Sequence, residues 1–162
     1  MLFEVTQHFT APPSAVLALF TDEAYYRDLP EFSRVGRPEL VGRSVQERRV
    51  TMRVRYRFTA DLPAGADKLI DKNKLTWVEE TVYDLAALSA ASRLLPDNYP
   101  DRLSASARRR FTAVANGTVA VTSGELKVRM RFVGGRVESA IVDGLREHLG
   151  DEATLANARL AR

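Results

Sequence analysis

The sequence predicts an α+β domain in which a curved antiparallel sheet wraps around one long C-terminal helix. Three observations support this prediction: strand-like alternation recurs through most of the chain, two short helical segments interrupt it early, and one amphipathic stretch closes it. A lone long helix has to bury its apolar stripe, and the inner face of the sheet is the only large apolar surface able to cover it. We therefore expect the sheet to curl around the helix.

The composition indicates one globular domain over residues 1–162. Apolar residues make up 45% of the chain and charged residues 28%, which gives enough apolar surface for a core. The absence of cysteine excludes disulfides, thiolate nucleophiles and cysteine-ligated metals. The opening MLFEVTQHF lacks the basic region and long apolar run of a secretory signal, and no stretch has the length of a membrane span. We expect a cytoplasmic protein without stable membrane insertion.

The first part of the chain predicts one strand and two short helices between strands 1 and 2. Apolar residues alternate with polar ones over residues 1–9, as in a half-buried strand. We expect Thr10 or Ser14 to cap the first helix and Asp22 to cap the second. Pro30 ends the second helix.

The next segment predicts a run of antiparallel strands. Residues 39–46 form one strand, and the strongest alternation of the chain follows over residues 50–58. The outward face of that second strand carries three arginines, Arg53, Arg55 and Arg57. A short helical turn is expected around residues 68–70, followed by a strand over residues 75–83. Residues 84–101 have a helix-forming composition, and at most a short strand is expected in them.

The final strands are predicted as a hairpin. Residues 103–114 and 118–132 both alternate, and the Asn116-Gly117 pair between them is a strong hairpin signal. The helix follows, with one apolar stripe at Val137, Ile141, Leu145 and Leu149.

Gly134 and Gly135 separate the last strand from the helix. A phosphate-binding loop would add a lysine or a G-x-G-x-x-G spacing, and neither is present. Glu138 already supplies negative charge in the first turn of the helix, where an anion would bind. We expect the pair to allow a tight reversal in conformations that a side chain would forbid.

Several segments resemble an uncharacterised bacterial family of START-like domains. They are "AVLALFTDEAYYRDLP" after an Ala-Pro-Pro segment, "TADLP" after the arginine-striped strand, and "VRMRFVGGRVESAIVDGL". This family is part of the helix-grip (SRPBCC) superfamily, which includes the birch-pollen-allergen fold, polyketide cyclases and lipid-transfer domains. The resemblance covers nearly the whole chain, although the tryptophan and aspartate of the middle strands appear only as Trp77 and, several residues later, Asp84. It implies a seven-stranded sheet gripping the helix, with a cavity between them for an apolar small molecule and no cofactor.

The inner face supplies the candidate lining of that cavity. Small residues are expected to leave space at Ala105, Ala107, Thr122, Gly124 and Gly144. The mouth is expected at the second helix and at residues 62–69. The candidate ligand-binding residues are Tyr25, Tyr26, Tyr56, Phe58, Trp77, Glu79, Tyr83, Arg109, Phe111, Met130, Ile141, Leu145 and His148.

Arg109 is the sharpest single candidate. Neighbouring strand residues alternate faces, so the consecutive residues Arg108, Arg109 and Arg110 cannot all face outward without a bulge. An inward Arg109 needs a partner. It either anchors a ligand carboxylate or phosphate or pairs with Glu79, and a bulge that reorients the run is the third alternative.

Metal and nucleic-acid sites are not expected. Only two histidines, His8 and His148, are present, and no cysteine accompanies them. The basic stripes of the third and seventh strands are not neighbours in the strand order of the family, and no aromatic residues interleave with them. We interpret them as solvated outer faces of a monomer or weak homodimer, and the formal net charge of +3 requires no anionic partner.

Binding of a hydrophobic or amphipathic small molecule, for transport, sequestration or sensing, is therefore the predicted function. A lipid or a polyketide-like compound is the expected type of ligand. A cyclase- or dehydratase-like enzyme is the first alternative, but Glu79, Tyr83, Arg109 and His148 form no recognisable catalytic set, and no catalytic residue is assigned. A chaperone-like or partner-binding domain is the second, and Val119 and Val121 give the only hint of its apolar outer patch.

Overall fold

The computed structural model describes residues 1–162 and contains a seven-stranded antiparallel sheet. The strands are β1 (Leu2–Phe9), β2 (Glu39–Gln46), β3 (Arg49–Arg57), β4 (Thr76–Asp84), β5 (Ser89–Pro96), β6 (Leu103–Val114) and β7 (Gly117–Val128). The helices are α1 (Pro13–Phe20), α2 (Glu23–Arg27) and α3 (Gly134–Leu160), with one 3-10 turn at Lys72–Lys74. The order across the sheet is β1-β7-β6-β5-β4-β3-β2. The predicted fold is confirmed, including the two short helices between β1 and β2.

The long helix α3 packs on the inner face of the sheet. Its buried residues are Gly134, Val137, Val142, Leu149 and Ala156. Ile141 and Leu145, which the predicted stripe also contained, are only half-buried because they border a cavity. None of the helices is both long enough and apolar enough to cross a lipid bilayer.

The two short helices begin in different ways. Pro12 is the N-cap of α1 and no side chain caps it, so the predicted caps at Thr10 and Ser14 are wrong. Proline at the first helical position, Pro13, already has the φ angle that a helix requires. In α2 the predicted cap is confirmed, since the Asp22 carboxylate accepts a hydrogen bond of 2.9 Å from the Ala24 N–H.

The last strand is shorter than predicted. It ends at Val128, opposite Leu103 at the start of β6, instead of at residue 132. Beyond the end of β1, the Val128 N–H donates to the Glu138 carboxylate of α3. Phe132 therefore leaves the sheet, with 97% of its surface exposed and a left-handed φ of +67°.

In the glycine pair at the start of α3, the lack of a side chain matters because the backbone passes close to the end of β7. Neither Gly134 nor Gly135 has a positive φ, so the prediction of a backbone that only glycine adopts is wrong. A Cβ atom on Gly134 would lie 2.7 Å from the Val128 carbonyl oxygen, whereas one on Gly135 would meet nothing within 4 Å. Gly134 thus lets the start of α3 pass close to the end of β7.

Strand β5 is longer than its composition indicated. It covers eight residues, Ser89–Pro96, and pairs with β4 along its whole length. Pairing on both sides outweighs the helix propensity of its alanines and leucines. The Asp84 carboxylate holds the preceding turn by accepting from the Ala86 and Ala87 N–H groups.

Some of the outer arginines are engaged in ion pairs. Arg53 and Arg93 both reach the buried Glu80 at 2.7 Å, and Arg55 reaches Asp97 at 3.2 Å. Strands β3 and β7 are separated by three strands, so their basic stripes do not merge.

Candidate ligand-binding site

A cavity of about 150 Å³ lies between the inner face of the sheet and α3. Cavities of this size hold a single aromatic ring such as benzene. Tyr56 and Trp77 form one wall, with ring centroids 5.8 Å apart and nearly parallel planes. Ile141, Leu145 and Leu149 of α3 are among the residues opposite.

Small side chains on β6, β7 and α3 leave this space open. Four of the five small positions predicted from the sequence line the cavity, namely Ala105, Ala107, Thr122 and Gly144. The fifth, Gly124, lies against the ring of Phe3, and a Cβ atom there would come within 2.6 Å of it.

One end of the cavity is polar and contains Arg109. The Arg109 guanidinium donates to the Glu152 carboxylate at 3.0 Å and to the Thr122 hydroxyl at 2.9 Å. The side chains of Arg109 and Glu152 are only 13% and 17% exposed. Gln7 of β1 also donates to the same carboxylate oxygen of Glu152, at 3.2 Å.

The structure decides between the alternatives for the orientation of Arg109. The register between β6 and β7 is continuous through residues 108–110, so the bulge hypothesis is wrong. The partner is Glu152 of α3, so the hypothesis of an Arg109–Glu79 pair is also wrong. Glu79 lies two strands away on β4, whereas α3 crosses directly over β1 and β7.

Burial sets the protonation states of this end. Burial acts to lower the pKa of Arg109, but Glu152, Tyr83 and Glu79 together outweigh it and the pKa is raised, so the guanidinium stays charged. Burial raises the pKa of the Tyr83 and Tyr56 hydroxyls, and the carboxylates of Glu152 and Glu79 raise them further. Both phenols therefore remain neutral and able to donate hydrogen bonds.

Glu79 lines the same cavity without a cationic partner. Its one side-chain hydrogen bond comes from the Thr81 hydroxyl at 3.2 Å, and that hydroxyl is shared with Ser92 at 2.8 Å. A carboxylate has about four acceptor sites, so most of the capacity of Glu79 is unused.

His148 occupies the helix side of the cavity. Its ring meets Phe32 and Tyr56 edge-on, at centroid distances of 4.5 and 5.6 Å. Its Nδ1 atom is buried and has no hydrogen-bond partner. No group of three or more histidine, aspartate or glutamate side chains is arranged to hold a metal ion.

A second void of about 20 Å³ adjoins the polar end. It shares Tyr56, Glu79, Arg109 and Glu152 with the larger cavity, and Tyr83 lines it as well. A space of this size with several polar partners has room for one water molecule.

The sequence-predicted site residues fall into three groups. Those that line the larger cavity are Tyr56, Phe58, Trp77, Glu79, Arg109, Ile141, Leu145 and His148. Tyr26 and Tyr83 line only the smaller void. Tyr25, Phe111 and Met130 line neither, because Tyr25 packs against Phe20, Phe111 is in the main core, and Met130 packs beside Val133 and Val137.

The edges of the cavity lie away from the predicted mouth. Neither α2 nor residues 62–69 line it. Arg34 lies at the helix side and forms an ion pair of 2.7 Å with Glu147. On the sheet side, the β5–β6 pairing stops at Arg93 and Ser106, and the cavity reaches this split in the sheet.

Sequence analysis did not identify two polar residues of the site, although both are at positions whose spacing predicts an inward side chain. Glu152 follows Leu145 by seven residues, so it continues the buried stripe of α3. Gln7 shares the inward phase of β1 with Phe3 and Phe9, and it is only 3% exposed.

Comparison with known proteins identifies the family. Residues 4–160 match the family described as "Protein of unknown function (DUF2505)". The chain belongs to this family. No curated protein matches it.

Solved structures of similar fold cover the chain almost completely. TTHA0849 from Thermus thermophilus is 19% identical with a TM-score of 0.69, over 99% of this chain and 97% of that one. The Zhui aromatase/cyclase from Streptomyces sp. R1128 is 18% identical with a TM-score of 0.53, over 99% and 88%. A START superfamily protein from Mycobacterium smegmatis is 14% identical with a TM-score of 0.56, over 99% and 97%. The predicted resemblance to START-like helix-grip proteins is confirmed at the level of the fold.

Proposed function

We propose that this protein binds a hydrophobic or amphipathic small molecule between the sheet and α3, for transport, sequestration or sensing. The observation that carries the proposal is the 150 Å³ cavity, whose wall is largely apolar and whose buried polar groups gather at one end. Ligand sites have this composition, because apolar walls supply affinity and a few polar groups fix orientation. The helix-grip fold, shared with an aromatase/cyclase and a START superfamily protein, supports the same function.

The volume limits what enters without a change of shape. A single-ring compound fits the cavity. A lipid or polyketide-like compound, the type of ligand expected from the family, requires the cavity to widen. The cavity can widen most easily at the split beyond Arg93 and Ser106. No backbone pairing between β5 and β6 would have to break there.

Native mass spectrometry of the freshly purified protein, before and after organic extraction, tests the proposal. A discrete additional mass that extraction removes is the expected result. A bare chain that also fails to bind benzyl alcohol after extraction would contradict it.

A cavity-filling variant locates the binding. Ala107→Leu adds three carbon atoms inside the cavity and is expected to weaken benzyl alcohol binding about tenfold or more. Ala91→Leu is the matched control, because Ala91 is exposed on the outer face of the neighbouring strand. Equal loss in both variants would argue against the cavity.

An enzyme of the cyclase or dehydratase type is the second candidate. It is favoured by the Tyr83 hydroxyl and the Glu79 carboxylate, two groups able to transfer protons that line the void at the end of the apolar cavity beside the Arg109–Glu152 pair. Glu79→Gln and His148→Gln separate the two functions. Turnover that is lost while ligand binding is retained would favour the enzyme.

A further inference from the structure

The charges that line the cavity point to the class of ligand. We propose that the ligand is a small apolar molecule, of about one ring, that carries a cationic amine and places it at Glu79. This inference rests on the proposed function and specifies which ligands the cavity accepts. It excludes carboxylates and phosphates as preferred ligands.

Every arginine that lines the cavity already has a carboxylate partner. Arg109 lies 3.0 Å from Glu152, and Arg34 lies 2.7 Å from Glu147. Arg93, whose side chain is on the outer face, lies 2.7 Å from Glu80. Arg109 and Arg34 each have a carboxylate to themselves, and Arg93, which shares Glu80 with Arg53, points away from the interior of the cavity. No unpaired guanidinium therefore faces the interior to attract an anionic ligand.

Glu79 is the lining charge without such a balance. Its only recorded side-chain partner is the neutral Thr81 hydroxyl. The other carboxylate of the lining, Glu152, is the one that balances Arg109. The inward-facing side chains Arg109, Glu152 and Glu79 therefore include one more carboxylic acid than guanidinium.

The loss of hydration on ligand binding makes the Glu79 carboxylate important for the choice between cationic and anionic ligands. A half-buried carboxylate with unused acceptor sites loses much of its hydration when an apolar ligand displaces water, and an ammonium group restores that interaction. An anionic group would lie close to Glu79 and Glu152 and would be repelled by both. Hydrogen bonds to charged groups contribute more than those between neutral groups.

The aromatic wall favours the same class. Tyr56 of β3 and Trp77 of β4 line the cavity. Glu79 follows Trp77 by two residues on β4, so both side chains are on the same face of the strand. A cation close to the faces of such rings is attracted by their π electrons. A molecule with an aromatic ring and an alkylamine group, such as benzylamine, can therefore pack its ring against Trp77 and direct its ammonium group to Glu79.

Three probes of the same ring and different charge test the inference. They are benzylamine, benzyl alcohol and phenylacetate, titrated into extracted protein while the fluorescence of Trp77, the only tryptophan, is followed. Benzylamine is expected to bind about tenfold or more tightly than phenylacetate, with benzyl alcohol between them.

A single substitution tests whether Glu79 causes the preference for benzylamine. Glu79→Gln keeps the size of the side chain and removes the charge, and it is expected to weaken benzylamine binding about tenfold while benzyl alcohol changes little. Glu125→Gln is the control, since Glu125 lies exposed on the outer face of β7. If the Glu79 variant does not fold, the ranking of the three probes on the native sequence decides.

The outcomes separate this inference from the proposed function. Phenylacetate binding as tightly as benzylamine, or a preference for benzylamine that survives Glu79→Gln, overturns the inference and leaves the cavity as a binding site. Failure of all three probes to bind overturns both.

Discussion

Arg109 of β6 and Glu152 of α3 form an ion pair of 3.0 Å across the interface between sheet and helix. Thr122 of β7 and Gln7 of β1 also form hydrogen bonds with the pair. The pair and its partners therefore connect α3 with three strands, β1, β6 and β7. The pair fixes the distance between the helix and the sheet at the polar end of the cavity. The same ion pair therefore stabilises the fold and lines the candidate ligand-binding cavity.

Removing one partner of this pair is expected to destabilise the protein strongly. Glu152→Gln leaves the Arg109 charge buried without a counter-charge, and we expect the free energy of unfolding to fall by about 3 kcal/mol. Urea denaturation measures the change. The double variant Arg109→Met/Glu152→Leu is expected to recover most of the loss, because no charge then remains buried.

The matched control is the exposed pair of Arg34 and Glu147. Their side chains are 40% and 48% exposed, so Glu147→Gln is expected to cost less than about 1 kcal/mol. A loss for Glu152→Gln no larger than this would mean that water screens the inner pair as well.

The two glycines at the start of α3 are expected to respond oppositely to alanine. Gly134→Ala places a Cβ atom 2.7 Å from the Val128 carbonyl oxygen and should lower the free energy of unfolding by about 1–3 kcal/mol. Gly135→Ala meets nothing within 4 Å and should raise it by up to about 1 kcal/mol through helix propensity. Thermal unfolding of both variants compares them, and a stabilising Gly134→Ala would show that the reversal does not need the close approach.

Replacing Phe132 by glycine is expected to stabilise the protein. The left-handed φ of +67° costs a side chain about 1–2 kcal/mol, and the ring, being 97% exposed, contributes little burial. Glycine relieves the cost but adds entropy to the unfolded chain, for a net gain of up to about 1 kcal/mol. Leu69→Gly, at an exposed position without a positive φ, should instead destabilise, and chemical denaturation of the two variants distinguishes these effects.

Acid is expected to remove the stabilisation that Glu80 supplies. Burial acts to raise the pKa of Glu80, but hydrogen bonds from Arg93 and Arg53 outweigh it, and the pKa lies below its ordinary value of 4.5. A carboxylate with a lowered pKa in the folded state stabilises fully above its unfolded pKa and loses this effect as the pH falls through its folded pKa.

The difference in unfolding free energy between the native protein and Glu80→Gln should therefore be largest near neutral pH and shrink below pH 4.5. Denaturation at a series of pH values measures it. Glu125→Gln, at a half-exposed position, should change stability by less than about 0.5 kcal/mol at any pH. A difference for Glu80→Gln that does not vary with pH would contradict the assignment.

Much of the fold could be predicted because alternation reports directly on which face of a strand is buried. The phase of β3 predicted the burial of Val50, Met52 and Val54. The phase of β6 left either an inward Arg109 or a bulge, and the continuous register shows the inward orientation. The Asn116-Gly117 pair also located the hairpin correctly, although the two turn residues are Ala115 and Asn116, and Gly117, with a φ of +139°, begins β7.

The remainder depended on contacts between distant parts of the chain. The partner of Arg109 was out of reach because the rotation of α3 over the sheet decides that Glu152 and not Glu79 meets it. The end of β7 was misplaced because the partner strand β6 begins only at Leu103, opposite Val128, and local alternation does not show where a partner strand begins. The cavity volume depends on how side chains from β3, β4, β6 and α3 fill the same space, which no local pattern encodes.

The most direct test of the binding site is a crystal structure of the extracted protein with para-bromobenzylamine, using the anomalous signal of bromine. We expect the bromine peak inside the cavity beside Trp77 and Leu145, with the amine within hydrogen-bond distance of Glu79. Bromine found only on the outer face of the sheet, or no bromine at a saturating concentration, would contradict ligand binding between the sheet and α3.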